Sequence, residues 1–423
     1  MARGAIVAGA LAHHAGSGPA RGSDLAAVHL DGPAGVAWED GRIVFAGPAH
    51  DLPWAPEAGD PSSGMIVPGF VDAHVHLPFI GWRADEFDAR LRGVTYRDQH
   101  GAEGGIFRSA RSLREAGDEE VLNFSARVLG EMAASGTTAV ELKTGYGLSV
   151  DDELRQARLA RRLASTAAQA CRVTLLACHA VPPGIERSTW VKTACDELIP
   201  AAAAEGLVDQ VDIYVEDIAF DLDDLARVAE ATARAGLPLR VHADQLGPSE
   251  AAEAAVQLGA RSADHLNHCG EAGVAALGGA PATAAVLLPA STLFLGARVP
   301  PAGALRDAGA IVTLASDMNP GTSPVSSMPE VIAIACALYR LPPLEALTAA
   351  TTNGAWVLGL HDDLGSLSPG ARADLLLLDV PTFAHVPYRA GRNPVVATYV
   401  GGELVAGDPA RMRAATSRWF SGT

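Results

Sequence analysis

Between residue 67 and about residue 360, eight short apolar segments of strand-like composition alternate with segments of helix-like composition. Stretches such as 151–164 and 222–235 repeat apolar residues at helical spacing, which distinguishes them from the strands. Eight strands that alternate with helices favour an α/β protein with a (β/α)8 TIM barrel over an open sheet. The predicted strands are residues 70–76, 137–143, 172–179, 210–216, 238–243, 261–266, 282–289 and 311–316.

The first predicted strand carries two histidines in the segment Phe70-Val-Asp-Ala-His-Val-His-Leu77. Because alternate residues of a strand face the same side, His74 and His76 can bind one metal ion together. A strand can also carry two histidines without such a role, so the ends of the later strands decide between the two interpretations.

Three later strands end in residues that can bind metal or transfer protons. His242 ends the fifth strand, His265 the sixth and Asp317 the eighth, and catalytic residues of (β/α)8 barrels lie at this end of the strands. Alone, each would more often be a cap or a hydrogen-bonded core residue, but several at separate strand ends favour a metal site. Three nitrogens and one oxygen suit Zn²⁺ or another borderline divalent ion. The ligand set is His74, His76, His242 and Asp317.

The two ends of the chain predict strands outside the barrel. Residues 35–47 alternate around Asp40-Gly41, which is a hairpin signal, and residues 373–379 and 396–405 form a second strand pair. We expect a composite β-sandwich domain from residues 1–66 and 365–423, with a barrel of residues 67–364 inserted between them. The first residues faintly resemble a signal peptide, but an opening β-strand explains them better.

The stretch from residue 78 to residue 113 contains Gly101, Gly104 and Gly105 and has a loop-like composition. A loop of that length inside a compact domain is usually functional. We expect it to cover the mouth of the barrel.

Charge and cysteine usage exclude several classes of partner. The 423 residues include 49 acidic and 32 basic ones, for a formal net charge of −17. No basic cluster stands out, so neither a nucleic acid nor an anionic membrane is expected as a partner. No stretch is long and apolar enough to span a membrane. Five scattered cysteines indicate reduced thiols and a cytoplasmic location. Whether the chain forms a homodimer stays open.

Some cysteine and histidine residues are expected to have no catalytic role. Cys178 precedes His179, so a nucleophile pair has to be considered. Neighbouring residues of a strand face opposite sides, however, which predicts that Cys178 is a packing residue. The histidines without strand-end context, among them His13, His14 and His100, are expected at the surface or in loops.

Together, the strand ends and the segments around them resemble the imidazolonepropionases, a family within the metal-dependent amidohydrolase superfamily. The resemblance runs from residue 67 to about residue 371. Besides the strand ends, it rests on Phe79-Ile-Gly-Trp-Arg-Ala-Asp-Glu-Phe87, Gly136-Thr-Thr-Ala-Val-Glu-Leu-Lys-Thr-Gly-Tyr-Gly-Leu148, Ala177-Cys-His-Ala-Val-Pro-Pro183 and Ser316-Asp-Met-Asn-Pro-Gly-Thr-Ser-Pro324.

The resemblance implies hydrolytic ring opening of 4-imidazolone-5-propanoate to N-formimino-L-glutamate in histidine degradation. It implies one divalent metal ion, Zn²⁺ with Fe as the alternative, because the fourth strand lacks the lysine that bridges two metals in other superfamily members. The catalytic residues implied are His265, Asp317 and Gln245, with the metal on the four ligands named above. Contacts with this small carboxylate-bearing cyclic amide fall on Arg83, Tyr96, Tyr146, His179, Gln245, Asn319, Gly321 and Thr322.

Three positions depart from the family pattern. Residues 102–105 lack one glycine of a triplet, and residues 290–297 differ after the seventh strand. Gln245 stands where some members have glutamate, and a glutamine cannot exchange protons. Proton transfer is therefore expected from His265 or Asp317.

Two other functions stay open. A deaminase of a nucleobase-like ring would share the barrel and the metal, but a neutral base needs no carboxylate clamp such as Arg83. Without the resemblance, Arg83 would be a surface residue paired with Asp85 or Glu86. A non-catalytic binding protein would have lost a ligand, and none is lost. Lys143 on the second strand is expected to pair with a barrel carboxylate.

Overall fold

The computed structural model describes residues 3–16, 18–99 and 104–410. The strands are β1 (Arg3–Ala8), β2 (Ala10–His14), β3 (Val28–Asp31), β4 (Ala34–Glu39), β5 (Arg42–Pro48), β6 (Ala58–Gly59), β7 (Met65–Pro68), β8 (Phe70–Asp72), β9 (Thr137–Lys143), β10 (Ala170–Cys178), β11 (Gln210–Val215), β12 (Leu239–Ala243), β13 (Ser262–His265), β14 (Ala284–Leu287), β15 (Ile311–Leu314), β16 (Leu375–Leu378), β17 (Val395–Val400) and β18 (Glu403–Gly407). The helices are α1 (Ala84–Leu91), α2 (Tyr96–Gln99), α3 (Gly105–Glu115), α4 (Asp118–Ala134), α5 (Val150–Thr166), α6 (Arg187–Thr193), α7 (Ile199–Ala204), α8 (Leu222–Arg234), α9 (Ala251–Gln257), α10 (Glu271–Gly279), α11 (Pro289–Leu295), α12 (Ala302–Asp307), α13 (Met328–Leu338), α14 (Pro343–Ala349), α15 (Thr352–Val357) and α16 (His385–Tyr388), with a π-helical segment at Ala194–Leu198.

The predicted (β/α)8 barrel is confirmed. Strands β8 to β15 form one parallel sheet in chain order, and helices connect successive strands. The first and last strands meet through a parallel bridge between Val75 and Met318, where His76 N donates to Met318 O at 2.9 Å. The carboxyl ends of all eight strands therefore surround one mouth.

The first barrel strand is shorter than expected. Regular pairing ends at Asp72, so His74 and His76 follow the strand instead of lying within it. Lys143 N nevertheless donates to Val75 O at 2.8 Å, and this bond together with the bridge to Met318 keeps the segment extended. The two histidines consequently still face the same side.

The interior of the barrel departs from the apolar packing usual for this architecture. Arg240, Lys143, Glu141, Asp212 and Asp264 are fully buried there. Charged groups are costly to bury unless they are paired and hydrogen-bonded. Their position beneath the strand ends connects them with the site described below.

The two chain ends form the predicted β-sandwich. A four-stranded sheet has the order β5-β4-β1-β6, and a six-stranded sheet has the order β18-β17-β16-β7-β2-β3. Apolar side chains such as Ile6, Trp38 and Leu375 form a separate core between strands of the two sheets. The hairpin at Asp40-Gly41 joins β4 to β5. The domain boundaries after residues 66 and 364 stay a prediction.

The prediction of a loop for residues 78–113 is wrong in part, because this stretch contains α1, α2 and the start of α3. Polar contacts connect α1 with α2 and with the start of α3. Gln99 Nε2 donates to Glu86 O at 2.7 Å, and Gly105 N donates to Glu86 Oε1 at 3.0 Å. Residues 100–103, which include His100 and part of the departure at 102–105, lie outside the described residues.

The structure also bears on the predicted positions of cysteine and histidine residues. Cys178 is fully buried, and burial raises the pKa of its thiol well above its usual range, which confirms a packing role. All five cysteines are free. His13 and His14 are buried in β2, so their expected surface position was wrong. Among the described residues, no helix combines the length and apolar character needed to cross a membrane.

Candidate active site

The predicted ligands converge at the mouth of the barrel. His74 Nε2 lies 3.2 Å from His76 Nε2, and Asp317 Oδ1 lies 3.6 Å from the former and 3.2 Å from the latter. Ligand atoms of His74, His242 and His265 also lie within 4.8 Å of one another. All five predicted residues are thus brought together from four strand ends.

Two buried carboxylates orient the histidine rings. Asp264 Oδ2 lies 2.5 Å from His74 Nδ1, and Asp212 Oδ1 lies 3.1 Å from His242 Nδ1. Each carboxylate accepts the Nδ1 proton, which leaves Nε2 as the atom with a free lone pair. His242 Nε2 is buried, and no group in the described part of the chain forms a hydrogen bond with it. This arrangement fits a divalent metal ion.

The ionisation of the cluster also suits metal binding, since a ligating imidazole has to be neutral. Burial, followed by the charge of Lys143, holds the pKa of His74 well below its usual range. Burial and the neighbouring His242 do the same for the pKa of His76. Burial alone would raise the pKa of Asp212, but His242 and Lys143 bring it well below its usual range. Asp212 is therefore an anion that can accept the proton of His242.

His265 is a neutral base beside the cluster. Burial lowers the pKa of His265 to about 3, so its ring carries no charge near neutral pH. Its ring centroid lies 5.2 Å from that of His242. Its φ angle of 78° is in the left-handed region, which is uncommon for a residue other than glycine and costs free energy. The end of β13 therefore turns sharply at this side chain.

Asp317 ends the eighth strand in a similar way. Its φ angle is 55°, and burial raises the pKa of its carboxyl group, although His265 and His242 act in the opposite direction. Asn319 Nδ2 donates to Asp317 O at 2.7 Å. Asn319 Oδ1 accepts from Gly321 N at 2.9 Å and from Thr322 N at 2.8 Å. The Asn319 side chain therefore fixes the loop that follows Asp317.

A buried ion-pair network supports the cluster from below. Arg240 Nη2 donates to Asp264 Oδ2 at 2.6 Å, and Arg240 Nη1 donates to Glu141 Oε1 at 2.6 Å. Lys143 Nζ lies 2.9 Å from Glu141 Oε2 and 2.7 Å from Asp212 Oδ2. The ion pair predicted for Lys143 is confirmed. The network links the carboxylate behind His74 to the carboxylate behind His242.

A pocket with an empty volume of about 360 Å³ opens above the cluster. Every side chain that was predicted to contact the substrate lines this pocket. Gly321, which is not part of the wall, lies against Arg83: a Cβ atom at this position would be 1.9 Å from Arg83 Nη2. The absence of a side chain there lets the guanidinium group lie on the backbone. The wall is formed by His76, Arg83, Tyr96, Ile106, Tyr146, His179, Tyr214, His242, Gln245, His265, Asp317, Asn319 and Thr322.

Arg83 is a buried residue of the pocket and not a surface residue. Its exposed fraction is 4%. Its Nη1 donates to Ser109 Oγ at 2.5 Å, and its Nε lies 3.1 Å from Glu86 Oε2. The pairing with Glu86 that the sequence suggested is therefore present, but in a buried position. These contacts hold the guanidinium group in one orientation at the pocket wall.

Tyr146 and His179 form the wall beside His76, the histidine that follows β8. His179 stacks on His76 at a centroid distance of 5.4 Å, and its Nδ1 donates to Gly145 O at 2.9 Å. Gly145 has a φ angle of 114°, and a Cβ atom there would lie 2.8 Å from His179 Nδ1. Burial raises the pKa of Tyr146, so its hydroxyl group remains a donor. Glycine at position 145 thus leaves room for the His179 ring beside the pocket.

Comparison with known proteins gives the family. The amidohydrolase family model matches residues 65–405. The imidazolonepropionase of Rubrobacter xylanophilus is 44% identical over 397 residues, which covers 92% of this chain and 95% of that protein. The chain belongs to the imidazolonepropionases of the amidohydrolase family. An imidazolonepropionase from a Shewanella species is 40% identical over 379 residues, with coverage of 88% and 93%.

Solved structures add support for the fold alone. An adenosine deaminase from Xanthomonas campestris with bound zinc has a TM-score of 0.67 at 21% identity and covers 97% of this chain and 96% of its own. The amidohydrolase family implies a divalent metal ion, and the cluster of histidine and aspartate side chains described above can hold one.

In this member of the imidazolonepropionase family, two sets of residues at the site were not predicted from the sequence. Tyr214 and Ile106 line the pocket but were not predicted to do so. Tyr214 was detectable, because it lies near the end of a predicted strand. Arg240, Asp212 and Asp264 were also detectable as charges inside apolar strands, although their partners were not. The roles of individual site residues stay predictions.

Proposed function

We propose that this chain hydrolyses the ring of 4-imidazolone-5-propanoate to N-formimino-L-glutamate, a step of histidine degradation. The chain is a metal-dependent hydrolase of the imidazolonepropionase family, which acts on a carbon–nitrogen bond. The main support for this choice of substrate is the buried guanidinium group of Arg83. It lines the same pocket as the cluster of histidine and aspartate side chains. A fixed guanidinium group suits bidentate binding of a carboxylate.

We propose one divalent metal ion, Zn²⁺ with Fe as the alternative. Three nitrogens and one carboxylate oxygen are a donor set of the kind that Zn²⁺ prefers. A metal ion bound there would make water a nucleophile at neutral pH and would polarise a carbonyl oxygen. The proposed ligands are His74, His76, His242 and Asp317.

In the reaction, the oxygen of water adds to the ring carbonyl carbon, and the bond from that carbon to the ring nitrogen breaks. One proton of the water moves to the departing nitrogen. We assign this transfer to the carboxylate of Asp317. His265 lines the pocket and is neutral because burial lowers its pKa to about 3, so it can hydrogen-bond the carbonyl oxygen and assist the transfer. Gln245 can only hold the ring by hydrogen bonds.

The propionate group is assigned to the wall that contains Arg83. Burial raises the pKa of Tyr96 and of Tyr146, so both hydroxyl groups are donors for a carboxylate. His179 gives its Nδ1 proton to Gly145 O. Because Nδ1 is used in this way, we assign the substrate contact of His179 to its Nε2 atom. Asn319, Gly321 and Thr322 close the site as a fixed loop.

The deciding experiment follows loss of the ultraviolet absorption of the imidazolone ring with purified, metal-loaded protein. A metal-free sample is the control. Turnover of the imidazolone together with no ammonia release from nucleobases supports the proposal. Ammonia release from a nucleobase without imidazolone turnover would establish the alternative, a deaminase.

Three further predictions belong to this proposal. Residues 1–66 and 365–423 form the sandwich domain, and residues 67–364 form the barrel. A cytoplasmic location is supported by the five free cysteines. Assembly as a homodimer stays a prediction that light scattering would test.

A further inference from the structure

Tyr214 carries a buried polar atom that has no partner among the residues the structure describes. Its side chain is 2% exposed, and its hydroxyl group forms no hydrogen bond with any described residue. A buried hydroxyl group without a partner costs free energy and is uncommon in folded proteins. Because Tyr214 also lines the pocket, a bound molecule can supply the missing partner.

The sheet places this hydroxyl group next to the metal-type cluster. Tyr214 of β11 pairs directly with His242 of β12 in the parallel register, so both side chains face the same side. The ring of Tyr214 lies 5.7 Å from that of His242 and 6.3 Å from that of His179. The reacting ring has to lie beside the cluster, and the phenol is therefore within the region where that ring binds.

The surroundings of Tyr214 favour a neutral partner over a carboxylate. A tyrosine hydroxyl group has an ordinary pKa of about 10 and keeps its proton at neutral pH, so it can donate a hydrogen bond. Glu216 is itself buried, and its Oε1 accepts from Leu246 N at 2.7 Å. Glu216 is the second residue after Tyr214 in the chain, and a carboxyl group on this side of the pocket disfavours a second anion.

We propose that Tyr214 determines specificity by hydrogen-bonding a polar atom of the cyclic amide ring, while Arg83 binds the carboxylate. This inference rests on the proposed function and deepens it. A site built to hydrogen-bond a substrate group discriminates strongly against molecules that lack the group. Tyr214 would thus recognise the ring by a hydrogen bond, and Arg83 would bind the carboxylate group.

The test compares wild type, Tyr214→Phe and Arg83→Gln as full-length, metal-loaded proteins. The probes are imidazolone propionate, for kcat/KM, and glutarate, a ring-free dicarboxylate, for its inhibition constant. Tyr214→Phe is expected to lower kcat/KM about tenfold and to leave glutarate inhibition unchanged. Arg83→Gln is expected to weaken both.

Tyr339→Phe is the matched control. Tyr339 is 5% exposed, and its hydroxyl group lies 2.6 Å from Thr292 Oγ1. This variant should keep kcat/KM and lower Tm, because it removes a hydrogen bond that is formed. Tyr214→Phe should keep Tm and full metal content, because it removes a hydroxyl group that bonds to no residue of the described ranges.

Three outcomes overturn the inference while wild-type turnover supports the function. The first is an unchanged kcat/KM in Tyr214→Phe. The second is a weakening of glutarate inhibition in this variant equal to its loss of kcat/KM, and the third is loss of its metal. Absence of turnover in wild type would overturn the proposed function, and the inference with it.

Discussion

The Nδ1 atom of His74 lies 2.5 Å from Oδ2 of Asp264, and both side chains are fully buried. The same oxygen accepts a hydrogen bond from Arg240 Nη2 at 2.6 Å. A carboxylate that is held by an arginine can therefore fix the orientation and tautomer of a metal-binding histidine. This arrangement makes the outer residues of the cluster testable separately from the ligands.

Asp264→Asn is expected to weaken metal binding about 10–100-fold, the usual effect of removing such a partner. The amide cannot accept the His74 proton as strongly as the carboxylate does. Metal affinity measured by competition with a chelator is the readout. Asp374→Asn, in a buried carboxylate of the six-stranded sheet region, is the control and should leave the affinity unchanged. Equal affinities for Asp264→Asn and wild type would contradict the assigned role.

His265→Ala is expected to keep the metal and lose turnover, because we assign His265 to hydrogen-bonding the carbonyl oxygen and assisting the proton transfer by Asp317. The geometry makes this a strict test, since His265 also lies within ligand distance of His74 and His242. Metal content after gel filtration and kcat are the measurements. If His265→Ala loses metal as readily as His242→Ala, then His265 is a ligand and the assignment is wrong.

Arg83→Gln is expected to weaken binding of imidazolone propionate by about 1.5–3 kcal/mol, the value of a hydrogen bond to a charged group. For a ring analogue without the carboxylate, the penalty should vanish. The measurement is kcat/KM for both compounds.

Arg90→Gln is the matched control for that prediction. Arg90 Nη2 donates to Gly321 O at 2.8 Å, so it supports the loop, and its loss should affect both compounds equally. An equal penalty in Arg83→Gln as well would mean that Arg83 also supports the loop instead of binding the acid.

Removal of the metal is expected to lower Tm, and readdition of one equivalent should restore it. Ligand at 100 times its Kd stabilises the folded state by about 2.7 kcal/mol, and buried His74 and His76 lose their common partner without it. Elemental analysis should give one tightly bound ion per chain. Two equivalents, or none after gentle purification, would contradict the single-metal site.

The strand ends could be predicted from the sequence because their signal is local. Short apolar runs that end in His242, His265 or Asp317 specify both the barrel and the side of the barrel that carries the chemistry. The short helices α1 and α2 could not be predicted in the same way, because contacts such as that between Gln99 and Glu86 are polar. The helix α3 does carry apolar residues at helical spacing, Ile106, Ala110 and Leu113, which the prediction of a loop overlooked.

The sequence by itself determined the barrel, the sandwich formed by both chain ends, and most of the residues gathered at the mouth. Only the tertiary structure decided which charges pair beneath them. Arg240 meets Glu141 and Asp264 at separations of 99 and 24 residues. It also decided that Tyr214 has a buried hydroxyl group with no partner in the part of the chain that the structure describes. Periodicity and the residue type at a strand end are properties of neighbouring residues in the sequence. Ion pairs and unpartnered buried polar atoms depend instead on how distant strands come together around one barrel axis.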